Sequence, residues 1–96
     1  MMVRWTVPAL RDLEESHAYF TERDPDAALR IARLLRAQAD GLGTHPQIGH
    51  IGRIGGTREL VVSGSAFIIA YRLTETTVDM LTIRHGARRW TKRIGD

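Results

Sequence analysis

Apolar and polar positions alternate with two different periods along this chain. "MVRWTV" alternates every second residue and is rich in β-formers, which predicts a first strand ending at Pro8. Leu10, Leu13, His17 and Phe20 then recur at helical spacing, so a helix is expected from about Pro8 to Glu22, with His17 at the edge of the core. Asp12, Glu14 and Glu15 fall early in it, where a helix dipole favours negative charge. In "RDPDAAL", Asp24 can cap a second helix and Pro25 suits its first position. Ala28, Ile31, Leu35, Ala39 and Leu42 form one apolar stripe, with Arg30, Arg33 and Arg36 away from it. Gly43 and Pro46 stop this helix. The link between the helices is so short that they should form an antiparallel hairpin.

"THPQIGHIGRIGG" reads as the one long loop. Three strands follow: "TRELVV", "AFIIAYRL" and "TVDMLTIRH", with turns at Ser63–Ser65 and Thr74–Thr76. "AFIIAY" is apolar on both faces and should be central. The order β-α-α-β-β-β predicts an α+β domain spanning residues 1–96, an antiparallel sheet with the helical hairpin packed on it.

The chain has 96 residues and no cysteine, which excludes disulfides, thiolate metal sites and a cysteine nucleophile. No apolar run approaches the roughly 18 residues of a membrane span, and the start "MMVRWTV" is unlike a signal peptide, so a cytoplasmic protein is expected. The formal charge is +3 and unevenly placed. Residues 1–50 carry six basic and seven acidic side chains, residues 51–96 eight and four. The basic excess gathers at Arg84, Arg88, Arg89, Lys92 and Arg93, which suits an acidic partner or a solvated end.

His17, His45, His50 and His85 show no metal-ligand spacing. "GHIGRIGG" precedes a strand and lacks the Lys-Ser/Thr of a phosphate loop. Neighbouring strands can bring Arg58, Arg72 and Arg84 to one side of the sheet near His85, an arrangement compatible with phosphodiester cleavage. The plainer reading pairs Arg58 and Arg72 with Glu59 or Asp79 across the sheet.

The succession "VRWTVPALRDLEESHAYF", "DPDAALRIARLL", "HPQIGHIGRIGGTREL", "FIIAYRL" and "VDMLTIRHGARRW" resembles the RelE/ParE superfamily of toxins from bacterial type II toxin–antitoxin modules over nearly the whole chain. The resemblance implies a compact toxin neutralised by a cognate antitoxin that wraps around it, with no metal or organic cofactor. RelE-like members cut messenger RNA on the ribosome, whereas ParE-like members poison DNA gyrase. Where the nuclease branch carries an arginine in its central strand, this chain has Ile68, and its preceding loop has Arg53 but no lysine. "GTREL" and "RHGARRW" look closer to the ParE branch. Three functions stand: a gyrase inhibitor, a ribosome-dependent ribonuclease, or a non-toxic stabilising module of the same fold. For the first, Arg84, His85, Arg88, Arg89, Trp90 and Lys92 form the expected target surface. For the second, Arg58, Arg84, His85 and Arg88 would serve the chemistry.

Overall fold

A computed structural model describes residues 1–85 of the chain. The elements are β1 (Met2–Trp5), α1 (Val7–Arg23), α2 (Pro25–Thr44), β2 (His50–Ile51), β3 (Arg58–Val61), β4 (Phe67–Leu73) and β5 (Thr77–His85). The order matches the α+β expectation, with one addition, since the long loop contributes the two-residue strand β2.

Local chemistry sets the helix ends. The Thr6 hydroxyl accepts from Ala9 N–H and donates to Met80 O at 2.6 Å, so one residue caps α1 and ties it to β5. Asp24 serves both helices. Its N–H donates to Phe20 O to close α1, and its carboxylate accepts from Ala27 N–H to open α2. A one-residue link leaves the antiparallel hairpin as the only compact path. On α2 the predicted stripe holds: Ala28, Leu35, Ala39 and Leu42 are buried, Ile31 is half-buried, and Arg30, Arg33 and Arg36 are exposed.

On α1 the stripe is rotated from the expected one. Leu10 and His17 are exposed, Leu13 and Phe20 half-buried, and the buried residues are Ala9 and Asp12. The helix turns a carboxylate inward because an unpaired strand edge needs it, as described below.

The sheet order is β1-β5-β4-β3-β2. β2 to β5 run antiparallel, as expected, but β1 lies parallel to β5, with Val3 opposite Val78 and Trp5 opposite Met80. The sheet is therefore mixed. Alternation in "MVRWTV" marks a strand but carries no direction, and β1 reaches β5 only through a long connection that permits either sense.

Between β4 and β5 the register skips Leu81: Tyr71 pairs with Met80 and Ala70 with Thr82. This bulge lets Val78, Met80 and Ile83 all enter one core despite their mismatched parity. Leu35, Leu42, Val62, Ile69 and Tyr71 complete that core between the hairpin and one side of the sheet. Among the described residues, no helix is long and apolar enough to cross a membrane.

Candidate functional site

The basic residues singled out in the sequence divide between the two sides of the sheet. Arg58 lies opposite Tyr71, on the side that faces the core. Its Nη1 donates to Gly49 O at 2.8 Å and to Gln47 O at 3.4 Å. The Tyr71 hydroxyl donates to Pro46 O at 2.8 Å and accepts from Gly49 N–H at 3.0 Å. Burial pushes the Tyr71 phenol above its usual pKa, against the opposing pull of the Gly49 hydrogen bond and the Arg58 charge. A side chain at Gly49 would sit 2.6 Å from the Tyr71 hydroxyl, so glycine is required by this close approach. Arg58 and Tyr71 thus fasten the Pro46–Gly49 turn beneath the sheet.

The other side of the sheet holds Arg72 opposite Asp79 and Arg84 opposite Ile68. Only two of the three arginines expected to converge therefore share a side. The expected cross-strand ion pairs are also replaced. Arg4 grips Asp79 with a fork, Nε to Oδ1 at 3.0 Å and Nη2 to Oδ2 at 2.7 Å, and Thr77 adds a hydroxyl. Register explains the choice, because parallel pairing sets Arg4 directly beside Asp79. Burial pushes the Asp79 carboxyl up, but the hydrogen bonds from Arg4 and Thr77 and the charges of Arg4 and Arg72 hold it below its usual pKa. Glu59 is buried and accepts from the Arg53 N–H at 3.1 Å. Arg84 is buried too; desolvation and the Arg53 charge lower its pKa, while Glu59 acts in the opposite sense. Arg84, expected at the target surface, is 7% exposed.

At its far end β5 outruns β1, which pairs with it only as far as Met80. There α1 takes over. Asp12 accepts from the Ile83 N–H at 3.0 Å and from the Thr82 hydroxyl. The carboxylate stands in for the missing strand. Beside it lies a cleft of about 470 Å³ whose lining includes Glu15, Tyr19, Phe20, Phe67 and His85. Its aromatic rings meet edge to face in series: Tyr19–Phe20 at 5.2 Å, Phe20–Phe67 at 6.1 Å and Phe67–His85 at 5.6 Å between centroids.

The set Arg58, Arg84 and His85 is therefore spread over both sides of the sheet. Arg88, Arg89, Trp90 and Lys92 lie outside the described residues. Among the described residues no group of three or more histidines and carboxylates could hold a metal ion. Asp12 and Tyr71 escaped the sequence reading. A signal existed for Asp12, since the last strand is visibly longer than the first and part of its edge needs another partner.

A helical hairpin packed on a mixed five-stranded sheet is the architecture of the RelE/ParE toxins. The chromosomal ParDE toxin–antitoxin system of P. aeruginosa superposes with a TM-score of 0.80 at 22% identity, over 88% of this chain and 95% of that one. The RelBE2 toxin–antitoxin complex of Mycobacterium tuberculosis does so with 0.64 at 27%, over the same shares. Residues 3–90 match the ParE toxin of the type II toxin–antitoxin system parDE, and the chain belongs to that family. It is 42% identical to the putative toxin Y4kP of Sinorhizobium fredii, over 92% of this chain and 91% of the relative. It is 37% identical to the toxin RelE2 of Caulobacter vibrioides, over 90% of this chain and 96% of that one.

Proposed function

We propose that the chain is a cytoplasmic toxin that inhibits DNA gyrase through protein contact and is neutralised by a cognate antitoxin. The observation that carries this reading is Ile68. It lies opposite Arg84 and Val61 on the side of the sheet away from the core, at the position where the resemblance puts an arginine in RNA-cutting members. An apolar side chain cannot stabilise charge developing on a phosphate, and one such donor is worth on the order of 100–1000-fold in rate. Arg58 is engaged by loop carbonyls and His85 packs against Phe67, which supports structural duties for both. Histidine acting alone as acid or base contributes only about 100–10,000-fold. The antitoxin enters by analogy with the solved ParDE and RelBE2 assemblies. The target surface would be carried by Arg84, His85, Arg88, Arg89, Trp90 and Lys92.

The test is induced expression with two readouts in the same cells. Gyrase poisoning gives DNA breaks, a damage response and filamentation while transcripts stay intact. His85→Ala then lowers toxicity modestly, and Arg88→Glu with Arg89→Glu lowers it strongly. Prompt codon-specific cuts in translated messages, lost in His85→Ala, would instead establish the ribonuclease that the relatives named RelE suggest.

A further inference from the structure

The two edges of the sheet are guarded differently. β2 ends one side with only two residues, His50 and Ile51, which is too short to seed a further strand. β1 ends the other side with four, Met2–Trp5, in unbroken register with β5. Met2 N–H donates to Thr76 O at 3.3 Å and Thr6 N–H to Met80 O at 3.2 Å. Backbone direction alternates along a strand, so the N–H and C=O of Val3 and Trp5 point outward, away from β5. Among the described residues no strand lies beyond them. Natural edges of this kind are blunted by proline, a bulge or a free charge. β1 has neither of the first two, and its one charge is already engaged, because Asp79 draws the Arg4 guanidinium toward β5. The surroundings are apolar as well: Met1 and Met2 are exposed where the strand begins, and Val7 and Leu10 in the first turn of α1.

We propose that β1 pairs with β1 of a second copy of the chain, antiparallel about a two-fold axis at Val3, so that one sheet runs through both copies. Antiparallel residues directly opposite each other share a face, which leaves two symmetric registers within the strand, centred on Val3 or on Arg4. Centring on Arg4 sets two guanidinium groups opposite each other, which is unfavourable. Centring on Val3 lets the two valines exchange both backbone hydrogen bonds. It also aligns Val78 and Val3 of one copy with Val3 and Val78 of the other, a single β-branched row on the core side. On the outer side Met2 comes level with Arg4 of the second copy. The join is self-complementary and draws on no free charge. It therefore suits the chain itself better than an acidic segment attracted by the overall +3.

The test follows the mass of the purified full chain by sedimentation over a range of concentrations, where wild type should pass from monomer to dimer. Met2 is 70% exposed, so a charge can be placed there without disturbing the core. Met2→Lys faces Arg4 of the second copy and should weaken the dimer about 10-fold, the change being felt twice across the axis. Met2→Glu faces the same arginine and should tighten the dimer by a similar factor. Ile51→Lys, on the other edge and 80% exposed, should change nothing. The chain has no cysteine, so a single introduced thiol reports the geometry. Val3→Cys should give a disulfide-linked dimer under mild oxidation, and Ile51→Cys should not. A dimer indifferent to charge at position 2, or one that Ile51→Cys links instead, overturns the proposal. A wild-type chain that stays monomeric up to its solubility limit also overturns it. If Met2→Lys then weakens binding of the neighbouring antitoxin, the edge belongs to that partner.

Discussion

The two ends of the sheet use similar side chains for opposite purposes. At the β2 end, Tyr71 and Arg58 spend their polar atoms on the backbone of residues 46–49, and Gly49 fits against the Tyr71 ring with no room for a Cβ. At the far end of β5, Asp12 satisfies the strand edge, and the rings of Tyr19, Phe20, Phe67 and His85 border an open cleft. Among the described residues, one end is filled, and the other is braced and bordered by a cleft. An aromatic or an arginine is thus no sign of a working site by itself. What separates the two ends is whether the polar atoms are consumed internally and whether space remains beside the rings.

Substitutions can break this contrast in turn. Tyr71→Ala should have the largest effect, about 3–5 kcal/mol of lost stability, because it empties a fully buried core position and frees the turn. Thermal unfolding measures the loss, and limited proteolysis should cut first near residues 45–49. Asp12→Ala comes next, at about 1–3 kcal/mol, since it leaves the buried Ile83 N–H without its acceptor. Hydrogen exchange should accelerate at Ile83 while Gly49 stays protected; the reverse pattern would merge the two ends into one unit. Arg4→Ala sharpens the picture least. Its side chain is 63% exposed, so at neutral pH the loss should stay within about 1 kcal/mol. Asp79 has a lowered pKa when folded, so its contribution is present above the unfolded value of roughly 4 and disappears as pH falls through the folded value. Wild type and Arg4→Ala should therefore differ at pH 7 and converge in acid. An equal gap at both ends of the titration would show that Arg4 stabilises by packing alone.

Much of the architecture was legible because it rests on local signals. Asp24 and Pro25 mark the helical turn, the α2 stripe marks its buried face, and "AFIIAY" marks a central strand. What escaped depends on distant pairing. The parallel sense of β1 and the inward turn of Asp12 arise only when β1 and α1 meet β5, more than 60 residues later, and the bulge at Leu81 arises from the register of β4 on β5. The sides taken by the arginines escaped for the same reason, because register decides them: Arg58 falls opposite Tyr71, and Arg84 opposite Ile68. The cleft was invisible because its walls come from α1, β4 and β5 at once, and Phe20 and Phe67 read separately are ordinary core residues.

The proposed function has the toxin grip a protein, with no cut made in RNA. Its most direct test adds the purified chain to purified gyrase with supercoiled plasmid and ATP, and separately to a reconstituted translation reaction. The account predicts that cleaved plasmid–gyrase complexes accumulate with dose, that the neighbouring antitoxin abolishes them, and that the translated message stays full length. Intact plasmid together with a message cut at discrete codons would contradict it.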